Sequence, residues 1–433
     1  MIDDVTNLDF HADNSVYGMH SLHAFAAKFP PQLADWAIQR YTQPGHVICD
    51  PMTGAVRRLV EACLHGRHSI GIDIDPLACL ISKAKSTLIR PSELCSANRV
   101  LLTTIEELQA TNARACQAGI LPDEWLTDAY VPPLPNLQRW FAPQVQVALV
   151  LLKCAIRHTP ASTDIKTLWY VAFSSLIVAR TSVANARDIV HSRHHYYQHE
   201  VLPNAIERFR RRIRMFERRM TDYSVACADA HVIRPEIHCA DARDLPLPEE
   251  SVDFVLTSPP YCNAIDYTRA HRFAIAWLAD VLATSLDDYV RLGRTYIGSE
   301  RAIRSQNTAP LGLPEVDTIT EEVRQQDVVR GQLVARYFID MQQVLGEIGR
   351  ILRSGSHAVL IVCPSNIRRI PIAWHKAFCT IGEHLPAGQR LHHVQVIERT
   401  IYDHRRLLPY MDGNQLAQRM RTEYVLVLQK EAS

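Results

Sequence analysis

Residues 257–261, TSPPY, carry side chains whose types and order fit one demanding chemistry. An amino group conjugated to a planar ring delocalises its lone pair into that ring and is a poor nucleophile. Two acceptors that take hydrogen bonds from its N–H groups pull the nitrogen toward tetrahedral geometry and turn the lone pair toward a methyl donor. Ser258 and the carbonyl of Pro259 can be those acceptors. Pro259 and Pro260 fix φ, so the acceptors need little rearrangement in the transition state. Tyr261 offers a face on which the ring of an extruded base can stack. The competing reading is a stiff turn built on a double proline. Against it stands the run VDFVL at 252–256, which reads as a buried parallel strand that delivers the motif to the end of a sheet.

Other strand ends carry polar groups of their own. The run VIC at 47–49 ends at Asp50 and Pro51, and MTGAVRR (52–58) then leads into LVEACL at helical spacing. Strand, glycine loop and helix make the first unit of a Rossmann-like sheet. A second run, SIGI at 69–72, ends in Asp73, a position from which a carboxylate commonly takes ribose hydroxyls. A third, EIHC at 236–239, leads to Asp241 and Ala242, where a carboxylate can accept from an adenine amino group. All four loops are expected at the carboxyl edge of one sheet, where such folds bind ligands. No G-x-G-x-x-G follows the first strand, and nothing in TSPPY serves hydride transfer, which argues against a dinucleotide oxidoreductase.

TSPPY, and the longer string TSPPYCNAIDYTRAHRF (257–273), resemble the amino-methylating DNA methyltransferases, which modify cytosine N4 or adenine N6. The form with serine first is more typical of the cytosine-N4 group. The string DPMTGAVRRLVEACLHGRHSIGIDIDPLA (50–78) is similar to their S-adenosylmethionine site, and HAFAAKFPP (23–31) to their N-terminal cofactor loop. The resemblance runs from about 22 to 428. It implies a Rossmann-like class I sheet, mostly parallel, of seven strands with one antiparallel. It places Asp50, Thr53 and Gly54 around the methionine moiety, Asp73 at the ribose and Asp241 at the adenine, with Pro51 and Ala242 beside them. Lys28 and Phe29 lie over the ligand. It also implies double-stranded DNA with a flipped target cytosine, methylated at N4 by direct in-line attack; adenine N6 and an amino group in RNA remain open. Ser258, Pro259, Pro260 and Tyr261 are then the catalytic residues.

One departure stands out. The family usually continues its loop as Gly-Ser-Gly-Thr-Thr, whereas this chain has Gly54-Ala55-Val56-Arg57-Arg58. The second glycine lets the backbone approach the ligand, and a β-branched valine at φ > 0 costs on the order of 1–3 kcal/mol. Two arginines at a helix N-terminus oppose its dipole unless they face the cofactor's carboxylate or DNA phosphate. The loop thus also admits a catalytically silent DNA-binding relative, for example one subunit of a restriction or defence system.

The rest of the chain must position these loops. Its 433 residues are 47% hydrophobic with a net charge of +1, so a large core is feasible and any footprint for nucleic acid must be local. Eleven cysteines without a CxxC pair read as reduced thiols in a cytoplasm. The N-terminus lacks an apolar signal core, and no stretch of 18 apolar residues occurs. The expected organisation is a lead-in at 1–21, a cofactor-binding part at 22–90, a large helical insertion at 91–230 as candidate target-recognition region, and a catalytic part at 231–433. Within the last, 285–335 reads as polar and loop-rich. Helices are expected at 92–117, 145–158, 169–179, 203–220, 264–285 and 337–352, and a closing pair of strands at 394–400 and 424–428. The helix ERFRRRIRMFERR (207–219) carries seven arginines. It is either a solvated surface or a phosphate-tracking one led by Arg210, Arg211 and Arg214. Arg269 either touches the flipped nucleotide or supports the loop from the next helix. His191, His194, His195 and His199 have metal-like spacing but no cysteine or HExxH nearby, and no metal is expected.

Overall fold

Short β-branched runs bounded by Asp, Pro and Gly favour strands, and here they pair as such. The computed structural model describes residues 8–10, 17–25, 29–54, 56–125, 131–179, 181–186, 199–227, 235–262, 266–300, 308–401 and 422–432. The strands are β1 (Val47–Asp50), β2 (His68–Asp73), β3 (Glu236–Cys239), β4 (Val252–Thr257), β5 (Leu352–Val362), the hairpin β6 (Ser365–Ile367) and β7 (Ile370–Ile372), then β8 (Leu391–Thr400) and β9 (Thr422–Lys430). Seven of them form one sheet in the order β3-β2-β1-β4-β5-β9-β8. β1 to β5 are parallel, and β9 runs antiparallel to both β5 and β8. This is the Rossmann-like class I arrangement expected, reversed strand included.

Alternation along the central strands sends residues to opposite faces. Ile48, Phe254, Leu256, Val359 and Ile361 pack with Leu33, Ala37 and Ile38 of α1 (Pro31–Tyr41). Their neighbours Cys49, Val255, Ala358 and Leu360 pack on the other side. With both faces covered, the strands read as continuous apolar runs, not alternating ones.

α2 (Arg57–Leu64) and α3 (Pro76–Ser86) follow β1 and β2. α3 starts cleanly because Pro76 sits in its first turn and Asp75 accepts from Leu77 N and Ala78 N. The insertion contributes α4 (Pro91–Thr111), α5 (Ala113–Ala118), α6 (Leu137–Trp140), α7 (Pro143–His158), α8 (Thr163–Ile177) and α9 (Ala205–Ala226). It shares a core with the sheet's helices: Leu59 and Ile81 belong to the same cluster as Leu101, Val150, Trp169, Phe209 and Trp277. A buried polar chain locks it, with Trp169 Nε1 donating to Asn98 Oδ1 (2.8 Å) and Asn98 Nδ2 to Glu217 (2.7 Å).

α10 (Tyr267–Trp277) is shorter than the stretch expected at 264–285. Its N-cap is Asp266, whose side chain accepts from Arg269 N. The stretch 285–335 is not loop-rich among its described residues. It holds α11 (Leu286–Leu292), α12 (Pro314–Gln326) and the start of α13 (Val328–Ile351). Polarity is misleading there: α12 buries only Val316, Thr320 and Val323, and most of its other residues are charged or polar. The cap Asp327 starts α13 a turn or more before its strongly apolar part. α14 (Trp374–Glu383) completes the fold. Among the described residues no helix is long and apolar enough to cross a membrane.

Candidate active site

β4 hands the chain to TSPPY at the carboxyl edge of the sheet, next to β1. Ser258, Pro259, Pro260 and Tyr261 all line one cavity, and Ser258 is half-buried rather than sealed under side chains. Two anchors fix the loop. Tyr337 on α13 donates its hydroxyl to the Pro260 carbonyl (2.9 Å), and the Tyr261 hydroxyl lies 3.1 Å from Cys363 Sγ. Burial pushes the Tyr261 phenol well up, so it stays protonated and its ring is held by the hydroxyl end. Gly298, at φ +76°, passes so close that an added Cβ would lie 3.0 Å from the Tyr261 carbonyl.

The opposite wall comes from the loop after β1. Pro51, Met52, Thr53, Gly54, Val56, Arg57 and Arg58 line the cavity, with Asp73 from the end of β2 and Asp241 and Ala242 from the end of β3. Gly54 adopts φ +48°, and its N–H donates to Asp73 Oδ2 (2.8 Å). Asp75 N donates to the other Asp73 oxygen (2.9 Å). Burial, with the Asp75 charge alongside, raises the Asp73 carboxyl to about 7. Asp241 accepts from Arg243 Nε (3.0 Å) and Nη2 (2.6 Å), and Asp340 holds Arg243 from behind (2.8 Å).

The departure in the glycine loop keeps a glycine's backbone conformation despite its valine. Val56 is the residue before α2 and sits in the left-handed region at φ +67°, ψ +17°, with 1% of its surface exposed. The arginines, however, do not simply oppose the helix dipole. Arg58 is buried, pairs through Nε with Asp50 Oδ2, donates to the Met52 carbonyl (3.1 Å), and lies over the Phe29 ring at 5.0 Å. Arg57 donates to the Phe29 carbonyl.

Asp50 corrects one expectation. The family resemblance puts it against the methionine moiety, but it is fully buried behind the cavity wall. There it accepts from Arg58, from Met52 N (3.2 Å) and from Thr257 Oγ1 (2.9 Å). Burial pushes its carboxyl up, and Arg58 pulls against that. Asp50 therefore ties the glycine loop to the first residue of TSPPY instead of touching a ligand.

Aromatic side chains close the cavity. Phe25 stacks on Tyr267 (5.7 Å between centroids, 29° between planes), and Phe29, Tyr261 and Tyr296 complete the lining. Beneath them Asp75 accepts from His271 Nδ1 (2.7 Å) and the Tyr289 hydroxyl (3.0 Å). Thr295, Tyr296 and Ile297 carry almost no sequence signal; an apolar pair before a glycine is all there is, inside a stretch that reads as polar loop. Tyr267 reads in the sequence either as a support for the loop or as a contact to the flipped nucleotide's phosphate.

These residues fit S-adenosylmethionine. Gly54 lines the cavity at φ +48°, where an added Cβ would be strained and would press on the Phe25 ring at 3.1 Å. Carboxylates at Asp73 and Asp241 line the same cavity and offer acceptors for hydroxyl and amino groups.

The remaining expected residues are scattered. Arg210 does not face solvent freely: it reaches Gln109 Oε1 (3.0 Å) and Glu106 (3.5 Å) on α4, because its helical position lies on the flank of the buried stripe formed by Phe209, Ile213 and Phe216. Arg211 is exposed and pairs with Glu207 (3.1 Å), and Arg214 is exposed. None of the three lines the cavity. Arg269 is exposed and pairs with Asp266 (3.2 Å). His199 contacts the Ala184 carbonyl (3.1 Å). Lys28, His191, His194 and His195 lie outside the described residues.

No family model matches the chain. It is 26% identical over 386 residues to the Type II methyltransferase M.MvaI of Kocuria varians, covering 84% of this chain and 81% of that one. It is 20% identical over 369 residues to the Type II methyltransferase M.MjaII of Methanocaldococcus jannaschii, covering 66% and 67%. A SAM-dependent methyltransferase from Methanosarcina mazei aligns over 92% of this chain and 98% of its own at 10% identity, with a TM-score of 0.29. TSPPY thus stands at the end of the fourth strand of a class I sheet, in a chain whose sequence is similar to Type II methyltransferases.

Proposed function

We propose that the protein methylates the exocyclic N4 amino group of a cytosine flipped out of double-stranded DNA. The observation that carries this reading is the half-buried Ser258, open to the same cavity as Gly54 and Asp73. S-Adenosylmethionine, when bound, supplies an electrophilic methyl group on a sulfonium. Everything else falls to the chain. Ser258 Oγ and the Pro259 carbonyl accept the two N–H bonds of the target amine and direct its lone pair outward. Pro260, braced by Tyr337, keeps these acceptors from relaxing. Tyr261, Tyr267 and Tyr296 offer faces for the extruded ring, and Asp73 and Asp241 offer acceptors for ribose and adenine. Once the methyl is attached, the amine sheds one proton along the hydrogen bond to Ser258 toward solvent. No enzyme nucleophile is required.

The test is incubation with labelled S-adenosylmethionine and mixed-sequence DNA, followed by nucleoside analysis. N4-methylcytosine is the expected product. N6-methyladenine would move the reading to the other base, and DNA retention without label would move it to a silent binding relative. Positioning of DNA by Arg211, Arg214 and Arg269 belongs to the same proposal. Replacing Arg211 and Arg214 with Gln should lower the slope of log affinity against log salt by up to about 0.9 for each phosphate left without its arginine. An unchanged slope assigns α9 to solvation alone. A nuclease partner is consistent with the Type II label that the relatives carry.

A further inference from the structure

Away from the cavity, ionisable side chains from three elements converge where the turn Gly18–Ser21, α1 and α2 pack. Glu61 and His65 are four residues apart at the C-terminal end of α2, a spacing that puts them on one face. Asp35 comes from α1. One ligand atom from each of Asp35, Glu61 and His65 lies within 4.8 Å of the other two. His65 Nε2 is 2.5 Å from Asp35 Oδ1. His20 Nε2 lies 2.6 Å from Glu61 Oε1, and the Tyr17 hydroxyl donates to that same oxygen at 2.5 Å.

We propose that Asp35, Glu61 and His65 form a binding site for one divalent transition-metal ion of the zinc class. One imidazole and two carboxylates make a nitrogen–oxygen set suited to zinc, with a position left for water, whereas magnesium and calcium favour oxygen alone. The charge argument points the same way. Two carboxylates within 4.8 Å of each other, one of them on a residue only 2% exposed, repel in a poorly solvated place. A divalent ion offsets both. Access is built in, because Asp35 and His65 are half-buried while Glu61 and His20 form the floor. Tyr17 orients Glu61 from outside the ligand set, the role a hydrogen-bonding neighbour plays at metal sites. The ion would clamp α1 to α2. Those two helices carry at their N-terminal ends Phe29 and the Val56–Arg58 loop, so the site would act on the cofactor wall at a distance. It does not depend on which base is methylated.

The experiment uses the full chain without a chelating tag, stripped of metal and then dialysed against zinc. Wild type is expected to retain one equivalent by elemental analysis and to melt at a higher temperature with zinc than without, magnesium having no effect. His65→Ala and Asp35→Asn, both at half-buried positions, should each weaken zinc at least tenfold while keeping the wild-type circular dichroism. H191Q/H195Q should retain zinc as wild type does. The proposal is overturned if wild type holds no stoichiometric zinc, or if retention survives both H65A and D35N, or if it disappears in H191Q/H195Q.

Discussion

The glycine loop and the TSPPY loop face each other across one cavity and are held in opposite ways. TSPPY is stiff by covalent structure, with two prolines, and is held by the Tyr337 and Cys363 anchors. The glycine loop lacks the second glycine. It holds its shape by a left-handed valine and a buried ion pair, Arg58 to Asp50. A buried hydrogen bond, Thr257 to Asp50, joins the two. A loop made of prolines tolerates its surroundings, whereas one made of an ion pair depends on every partner staying in place.

Breaking that joint should give the largest effect. Asp50→Ala leaves the Arg58 guanidinium buried without its counter-charge and Thr257 without its acceptor. Loss of one partner of a buried pair costs about 3–5 kcal/mol. Replacing both, as in D50A/R58M, should recover a large part of that in denaturant unfolding. A cost under about 1 kcal/mol for D50A alone would mean that the two loops stand independently.

Next comes Ser258→Ala. It touches only the proline-stiffened side, so methyl transfer should fall by about 10²–10³, the usual consequence of removing one preorganised hydrogen-bonding partner. Cofactor affinity by calorimetry should stay as in wild type. A parallel loss of cofactor affinity would show that the loops are not separable in this way.

The third effect belongs to the glycine-loop side and depends on pH. Asp73, raised to about 7 by burial and by Asp75, is protonated over part of the neutral range. The ligand-free folded protein then binds a proton that the unfolded chain has already released, so this group's contribution to stability declines as pH rises from the ordinary carboxylate range through about 7. Ribose hydroxyls prefer the ionised acceptor, so cofactor affinity should rise by up to about tenfold between about pH 6 and 8. Asp73→Asn should weaken binding and flatten the profile. A profile of unchanged shape in that variant would assign the titration elsewhere.

The order of strands and their polar ends is readable because each run is short, apolar and stopped by Asp or Pro; Asp73, Asp241 and Ser258 reach one cavity as the loops implied. Even the backbone of Val56 follows from a missing glycine. Asp50 escapes such reading because a motif gives a residue's position along the chain but not which way its side chain turns. Turning inward depends on Arg58, whose partner spacing alone does not name. The aromatic wall at Tyr296 is hidden for a related reason: it is brought in by α11 and Gly298, long-range packing that leaves no periodic signature.

The smallest effect is the most pointed test of how the glycine loop is held. Val56→Gly relieves left-handed strain on the order of 1–3 kcal/mol. It also deletes a side chain that is 1% exposed, which costs about 1.5–3 kcal/mol, and adds about 0.5–1 kcal/mol for the freedom glycine has when unfolded. The terms nearly cancel, leaving a net loss of about 1 kcal/mol. Val60 makes a matched control: it is fully buried, one turn further into α2, in helical backbone with no strain to release. Val60→Gly should therefore cost more than Val56→Gly by roughly the strain itself, about 1–3 kcal/mol. Equal losses in the two variants would mean that Val56 is comfortable where it sits, and that the loop needs no glycine to keep its shape.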